Sequence, residues 1–270
     1  MADVLREQQL CQDARMSGRA LSFGATAQAY ERFRPGYSPD LFERVAAYAG
    51  QPLRTALEIG AGTGKATRLF ARHGVEVTAT EPDAAMLAEL RKHVPASVRT
   101  VRSAFEELRP DRTYELVYAA AALHWTNPEG RWPRVAALLE PGAVFASFGG
   151  PIQPADPAVE EAVRAARAPF LESDAVPSPD GTPAGHAMQW PGTELQRAPW
   201  FTDVQQSVIE RRLTMSASDY VGQLSTISAY LVLPAAEQQQ VFSRIMRVLP
   251  ETVEVAADIT VHLARRRQEA

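Results

Sequence analysis

The 270-residue sequence is most restrictive in what it lacks. It has a single cysteine, Cys11, so neither an internal disulfide nor a cysteine-based metal cluster can be built. Its five histidines, at 73, 93, 124, 186 and 262, show no H-x-x-x-H spacing and no paired acids, which argues against a metal centre. No apolar run approaches the ~18 residues that a spanning helix needs. The first dozen residues carry acids and no apolar stretch, unlike a secretory signal, and a cytoplasmic location is expected. Basic residues are outnumbered, 28 to 32, giving a net charge of −4 and no electrostatic footprint for nucleic acid. Arg265-Arg266-Arg267, the one basic run, reads as a solvated tail.

A conventional globular composition remains, with 46% hydrophobic and 22% charged residues. Residues 1–22 are polar and unpatterned and read as a loose arm. Helical spacing appears over 25–34 and again over 39–49, separated by Pro35-Gly36, with Ser38 and Pro39 suited to the N-cap and first turn. From residue 55 strands and helices alternate. Strands are expected at 55–59, 76–80, 98–101, 116–121 and 143–148, with helices between them. That rhythm predicts an α/β fold with a doubly wound parallel sheet. Beyond Gly150 it breaks. A proline-rich stretch over 151–200 is followed by a strand at 204–213, helices from 218 to about 248 and a last strand at 253–263. The domain plan expected is the arm 1–22, a core over 23–150, an insertion or cap over 151–200, and C-terminal strands with a helical insertion over 201–270. The insertions are the natural place for a substrate cap.

Between the first strand and its helix lies Gly60-Ala61-Gly62-Thr63-Gly64. Glycines there permit positive φ and close backbone approach, and the helix start offers free N–H groups. A dinucleotide fingerprint would need its third glycine at Lys65, and a P-loop would need glycine at Ile59 and Ser or Thr at Ala66. The spacing fits neither. Glu81, at the end of the second strand, stands where doubly wound nucleotide sites place an acid against the ribose hydroxyls, and its charge disfavours a phosphorylated ribose.

Taken in order, Leu57-Glu58-Ile59-Gly60-Ala61-Gly62-Thr63-Gly64, Thr80-Glu81-Pro82-Asp83-Ala84-Ala85-Met86 and Tyr114-Glu115-Leu116-Val117 resemble the successive motifs of class I S-adenosylmethionine-dependent methyltransferases. Phe23-Gly24-Ala25, Tyr30 through Tyr37 and Ala122-Leu123-His124-Trp125 resemble its small-molecule branch, near the trans-aconitate and ubiquinone types. The resemblance implies a Rossmann-like sheet of seven strands with the last antiparallel, helical cap insertions, and S-adenosylmethionine as cofactor, with S-adenosylhomocysteine as product. It implies that Glu58, Gly60, Gly62 and Thr63 meet the methionine part, Glu81 the ribose and Pro82 the adenine. Ser103, Ala104 and Phe105 would line the adenine; many relatives have Asp at the position of Ala104, so recognition there would fall to backbone N–H groups and Phe105. Ala120 and Ala121 would lie under the methionine chain, and Tyr30 and Arg34 would close over the site, Arg34 pairing with the cofactor carboxylate.

Methyl transfer from a sulfonium asks mainly for positioning and, where needed, removal of a proton. His124 is the candidate base, with a structural role beside Trp125 as the competing reading. Tyr37, Trp125, His186, Trp190 and Tyr220 are candidates for the acceptor pocket, ordinary core packing being the alternative for the aromatics. The acceptor expected is a small metabolite, methylated on O, N or C without a metal. The protein would be a monomer or homodimer without nucleic-acid or membrane partners. Abundant Pro and Ala hint at a bacterial source and secondary metabolism. Two other functions remain open on sequence: a methyltransferase-fold protein doing other chemistry, such as cyclisation or pericyclic catalysis, and an NAD-dependent oxidoreductase, which Lys65 disfavours.

Overall fold

The computed structural model describes residues 26–109, 112–183 and 185–268. The expected N-terminal arm, Cys11 and the Phe23-Gly24-Ala25 motif lie outside the described residues. In chain order the elements are α1 (Ala27–Phe33), α2 (Pro39–Ala49), β1 (Thr55–Ile59), α3 (Lys65–Arg72), β2 (Glu76–Thr80), α4 (Ala84–His93), β3 (Arg99–Val101), β4 (Tyr114–Ala120), α5 (Arg131–Leu138) and β5 (Leu139–Gly149). There follow β6 (Gln153–Pro154), α6 (Pro157–Arg167), α7 (Gly192–Arg197), β7 (Phe201–Ile209), β8 (Arg212–Ser216), α8 (Ala217–Leu224), α9 (Ser228–Leu231), α10 (Ala235–Val248), β9 (Thr252–Ala256) and β10 (Ile259–Arg266). Single 3-10 turns occupy Phe105–Glu107 and Leu123–Trp125.

A seven-stranded sheet runs in the order β3-β2-β1-β4-β5-β10-β7. β1 to β5 pair in parallel, while β10 is antiparallel to both β5 and β7. The doubly wound seven-stranded sheet expected from the motifs is therefore present, with its last strand reversed. Because both partners of β10 oppose it, β7 runs parallel to β5. The ends of β1, β4, β5 and β7 thus share one sheet edge, where open α/β sheets bind ligands.

Apolar side chains alternate between the two faces. On β4, Leu116 and Tyr118 enter one core while Val117 and Ala119 enter the other; on β5, Val144, Ala146 and Phe148 oppose Ala143 and Phe145. Both faces are covered by helices, which is why the strands read as nearly continuous apolar runs. Each fully buried large side chain among these contributes about 1.5–3 kcal/mol. Helix starts are set locally. Asp83 caps α4 by accepting the N–H groups of Ala85 (2.8 Å) and Met86 (2.9 Å). Asp156 caps α6 through Ala158 N–H. Ser38 occupies the N-cap position of α2 ahead of Pro39, as the sequence suggests, but its hydroxyl makes no capping bond.

The C-terminal strands depart from expectation. The strand expected at 204–213 is two, β7 and β8, and the one expected at 253–263 is also two, β9 and β10. The two breaks lie opposite each other. Asp258 Oδ1 accepts Arg211 N–H at 2.8 Å, and Ala257 N–H donates to Arg211 O at 3.0 Å. The β7/β10 ladder thereby turns out of the main sheet into a β8/β9 ladder, which β6 completes as a three-stranded sheet. The alternation within 204–213 carries no mark of this corner, because a carboxylate from the opposite break, between β9 and β10, makes it. The second sheet and α6, α8, α9 and α10 enclose their own core of Val163, Tyr220, Leu224, Tyr230, Val241, Ile245, Val253 and Val255. Residues 151–200 contribute to both cores. α6 joins this second core, while Leu195 of α7 packs against the main sheet with Trp132 and Phe201.

Candidate functional site

β1 delivers the glycine loop to the ligand edge. Gly60, Gly62 and Gly64 all have positive φ, at 65°, 56° and 84°. At Gly60 a side chain is excluded twice over, since a Cβ would stand 2.7 Å from Ala122 Cβ. At Gly62 nothing lies within 4 Å of that position, so the backbone faces open space. The loop is pinned below by Ala61 N–H on Thr80 O at 2.9 Å and closes on itself by Gly64 N–H on Ala61 O at 2.9 Å.

Two acids frame the loop. Glu58 is fully buried, and its Oε2 accepts the hydroxyls of Thr67 and of Tyr118, the latter at 2.9 Å. Its Oε1 has no partner within the protein although Glu58 lines the cleft. Burial raises the Glu58 carboxyl to about 8; the two hydroxyls oppose the shift, and nearby Glu81 adds to it. Tyr118 is held in turn by stacking on Phe70 (centroids 4.4 Å) and Phe148 (5.8 Å). Glu81 is 7% exposed and bridges two backbone donors, Gly62 N–H to Oε2 and Asp83 N–H to Oε1, each at 2.9 Å. Its pKa is raised by burial, with the two N–H bonds opposing.

A cleft opens above this floor. Of the residues singled out in the sequence, Tyr30, Arg34, Glu58, Gly60, Gly62, Thr63, Ala120 and Ala121 line it, together with Tyr37. Ala121 adopts φ 52°, a strained conformation for alanine, and is tied by its N–H to Phe148 O at 2.8 Å. This sharp departure from β4 keeps the floor low. Arg34 reaches across from α1 to the segment after α8, donating Nε–H to Thr226 Oγ1 at 2.8 Å.

Glu81 lies behind Gly62, and the ribose and adenine candidates cluster beside it rather than in the cleft lining. Glu81 N–H donates to Val101 O at 3.1 Å, and Arg102 Nε–H to Pro82 O at 3.3 Å, which sets Pro82 against the segment leading to Ser103, Ala104 and Phe105. Phe105 itself is 5% exposed and packs in the core.

The remaining candidates fall elsewhere. His124 is outside the cleft lining, 4.5 Å from Trp125 between ring centroids. Burial, then Arg131, lowers its pKa to about 4, the direction that weakens a proton acceptor. Trp125 is not in the lining either. Trp190, expected in the acceptor pocket, packs against the main core, with the Arg131 guanidinium 5.3 Å from its ring centre. Tyr220, expected there too, is 2% exposed inside the second core. His186 is on an exposed loop, its Nδ1 2.8 Å from Met188 O. For the two aromatics, burial area was satisfied by a core the sequence did not separate from a pocket.

The lining also contains residues that the motifs did not single out: Arg211, Asp258, Ile152 and Gly149-Gly150. The paired glycines at the end of β5 carried a usable signal, since a Cβ on Gly150 would collide with Asp258 O at 2.1 Å. Arg211 and Asp258 carried none, because the strand corner brings them in from afar. Among the described residues no group of three or more His, Cys, Asp or Glu is placed to hold a metal ion, and no helix is long and apolar enough to cross a membrane.

Residues 56–142 match the methyltransferase domain family. An uncharacterized methyltransferase of Mycobacterium tuberculosis is 38% identical over 123 residues, 46% of this chain and 49% of the relative. The trans-aconitate 2-methyltransferase of Methylobacterium radiotolerans is 31% identical over 120 residues, 43% of this chain and 46% of the relative. The chain thus aligns with about half the length of these curated relatives. Among solved structures, one described as a type II methyltransferase from Anaeromyxobacter dehalogenans superposes with a TM-score of 0.62 at 24% identity, over 88% of this chain and all of that one. Residues 56–142 are thus similar to the methyltransferase domain family, and the chain as a whole shares the fold of that solved methyltransferase.

Proposed function

We propose that this protein transfers a methyl group from S-adenosylmethionine to a small-molecule acceptor. The observation that carries the reading is the pairing of a glycine loop open above Gly62 with two buried acids, one of which, Glu58, keeps an unpartnered oxygen at the cleft. A buried polar atom without a partner is costly unless a ligand supplies one. The cofactor's amino group is the complement, with Arg34 at the rim for its carboxylate and Glu81 beside the loop for its ribose. Glu81 spends one lone pair of each oxygen on backbone N–H groups. This fixes the carboxylate plane and leaves acceptor capacity for two hydroxyls. Ala120 and Ala121 give a floor without bulk.

When bound, the cofactor supplies a methyl group already activated on a sulfonium sulfur. The chain's part is then to orient and to exclude water. Tyr30, Tyr37, Arg211 and Asp258 also line the cleft, and the acceptor would be received among them. His124 is assigned a positioning role for the loop after β4, together with Trp125.

Calorimetric titration with S-adenosylhomocysteine tests the reading. Wild type should bind at micromolar level, and Glu81→Ala should bind about 10- to 100-fold more weakly, as for hydrogen bonds to a charged group of about 1.5–3 kcal/mol. A well-folded wild type that binds none, or an alanine variant that binds equally well, refutes it.

A further inference from the structure

Arg211 is a half-buried cation at the corner between β7 and β8, on the same sheet edge as the glycine loop. Burial lowers its pKa, yet no carboxylate lies within ion-pair distance of it among the described residues. Among the described residues its side chain donates one hydrogen bond, from Nη1 to Gly36 O at 3.0 Å, and Nε and Nη2 have no acceptor. The neighbouring acid is already committed: Asp258 Oδ1 takes Arg211's backbone N–H and, at 3.0 Å, the guanidinium of Arg212. The bond to Gly36 places Arg211 beside Tyr37, whose hydroxyl has no hydrogen-bond partner among the described residues and which lines the same cleft. Tyr37 is fixed edge-on against Phe148 with centroids 5.2 Å apart.

The charges of the cleft sharpen the point. Lys65 has a carboxylate partner in Glu31, at 3.5 Å, which it shares with Arg68 at 2.8 Å. Glu58, raised to about 8 by burial, is mostly uncharged at neutral pH. Two cations of the lining, Arg34 and Arg211, have no carboxylate partner among the described residues. On the proposed reading, Arg34 serves the carboxylate of the cofactor. Arg211 is then left over, in a site where an unpaired charge is costly.

We propose that the acceptor is a small carboxylic acid whose carboxylate is received by the unused Nε–H and Nη2–H of Arg211, with the Tyr37 hydroxyl as a further donor. The free edge of the guanidinium matches a planar carboxylate bidentately. One cation suits a singly charged group better than a dianionic phosphate. This inference rests on the methyltransferase reading, because that reading assigns Arg34 to the cofactor.

The test uses the full chain saturated with S-adenosylhomocysteine, with calorimetric titration of benzoate and succinate, of benzamide and succinamide as neutral counterparts, and of inorganic phosphate. Wild type, Arg211→Gln, Arg211→Lys and Tyr37→Phe are compared, each shown to be folded by its unfolding transition. At least one acid should bind wild type and its amide should not. Arg211→Gln should weaken the acid tenfold or more, and Arg211→Lys and Tyr37→Phe by less, while every variant keeps its S-adenosylhomocysteine affinity. Equal binding of acids and amides, binding of neither acid, or tighter binding of phosphate overturns the proposal. So does loss of S-adenosylhomocysteine affinity in Arg211→Gln, which would give this arginine to the cofactor. Failure of wild type to bind S-adenosylhomocysteine at all is a separate result that removes the methyltransferase reading; binding of the acids to the unloaded protein then decides the anion site alone.

Discussion

Replacing Glu58 with glutamine isolates the energetic cost of the site. Glu58 is fully buried and its carboxyl is raised to about 8 from an ordinary 4.5, chiefly by burial. The folded chain therefore holds a proton that the unfolded chain releases between those values. A folded-state pKa above the unfolded one contributes stability in full below pH 4.5, and that contribution is lost as pH rises through about 8. At about 1.4 kcal/mol per unit, the loss across this window is on the order of a few kcal/mol. Glutamine has no charge to bury, and its carbonyl oxygen can still accept from Thr67 and Tyr118. Urea unfolding of both proteins from about pH 5 to about pH 9 should show wild-type stability falling relative to Glu58→Gln by roughly 2–5 kcal/mol. Parallel curves would refute the reasoning. A bound cationic group at Oε1 reverses the shift, so S-adenosylhomocysteine binding to wild type near neutral pH should release a proton. The calorimetric heat should then vary with the ionisation enthalpy of the buffer, and should not do so in Glu58→Gln.

Gly60→Ala combines positive φ with a Cβ placed 2.7 Å from Ala122. It should cost about 2–5 kcal/mol, from about 1–2 for the backbone and about 1–3 for the overlap, read as a fall in the unfolding midpoint. His124 and His262 are both held near 4 against an ordinary 6.5, so they contribute stability that is present above pH 6.5 and lost as pH falls through 4. His124→Gln should flatten the acid side of the stability profile over that window, as followed by thermal unfolding. It should leave S-adenosylhomocysteine affinity within about threefold, under 1 kcal/mol.

The parts of the molecule legible in the sequence are those fixed by short-range chemistry. A glycine loop after a strand, an acid at the end of the next strand and an alternation of apolar runs each specify their own backbone. Glu58, Gly60, Gly62 and Glu81 could thus be placed on sequence, and the sheet followed. What was not legible depends on contacts between distant segments. The corner between β7 and β8 is capped by Asp258 from the break between β9 and β10, and the corner brings Arg211 to the cleft. On sequence Tyr220 and Trp190 stand as candidates for a pocket with core packing as the alternative, because aromatic residues suit both equally well. Only the presence of a second core, closed by Val163, Tyr230 and Ile245, decides the case of Tyr220. His124 follows a strand at the site's edge, as a base should, but it stands beside Trp125 and is not among the residues that line the cleft.

The most direct test of the central claim is a crystal structure of the protein with S-adenosylhomocysteine. The account predicts density for the homocysteine end over Gly60–Gly64, with its amino group at Glu58 Oε1, its carboxylate at Arg34 and the ribose hydroxyls at Glu81. Density at another place, or a ligand-free cleft at saturating concentration, would contradict it.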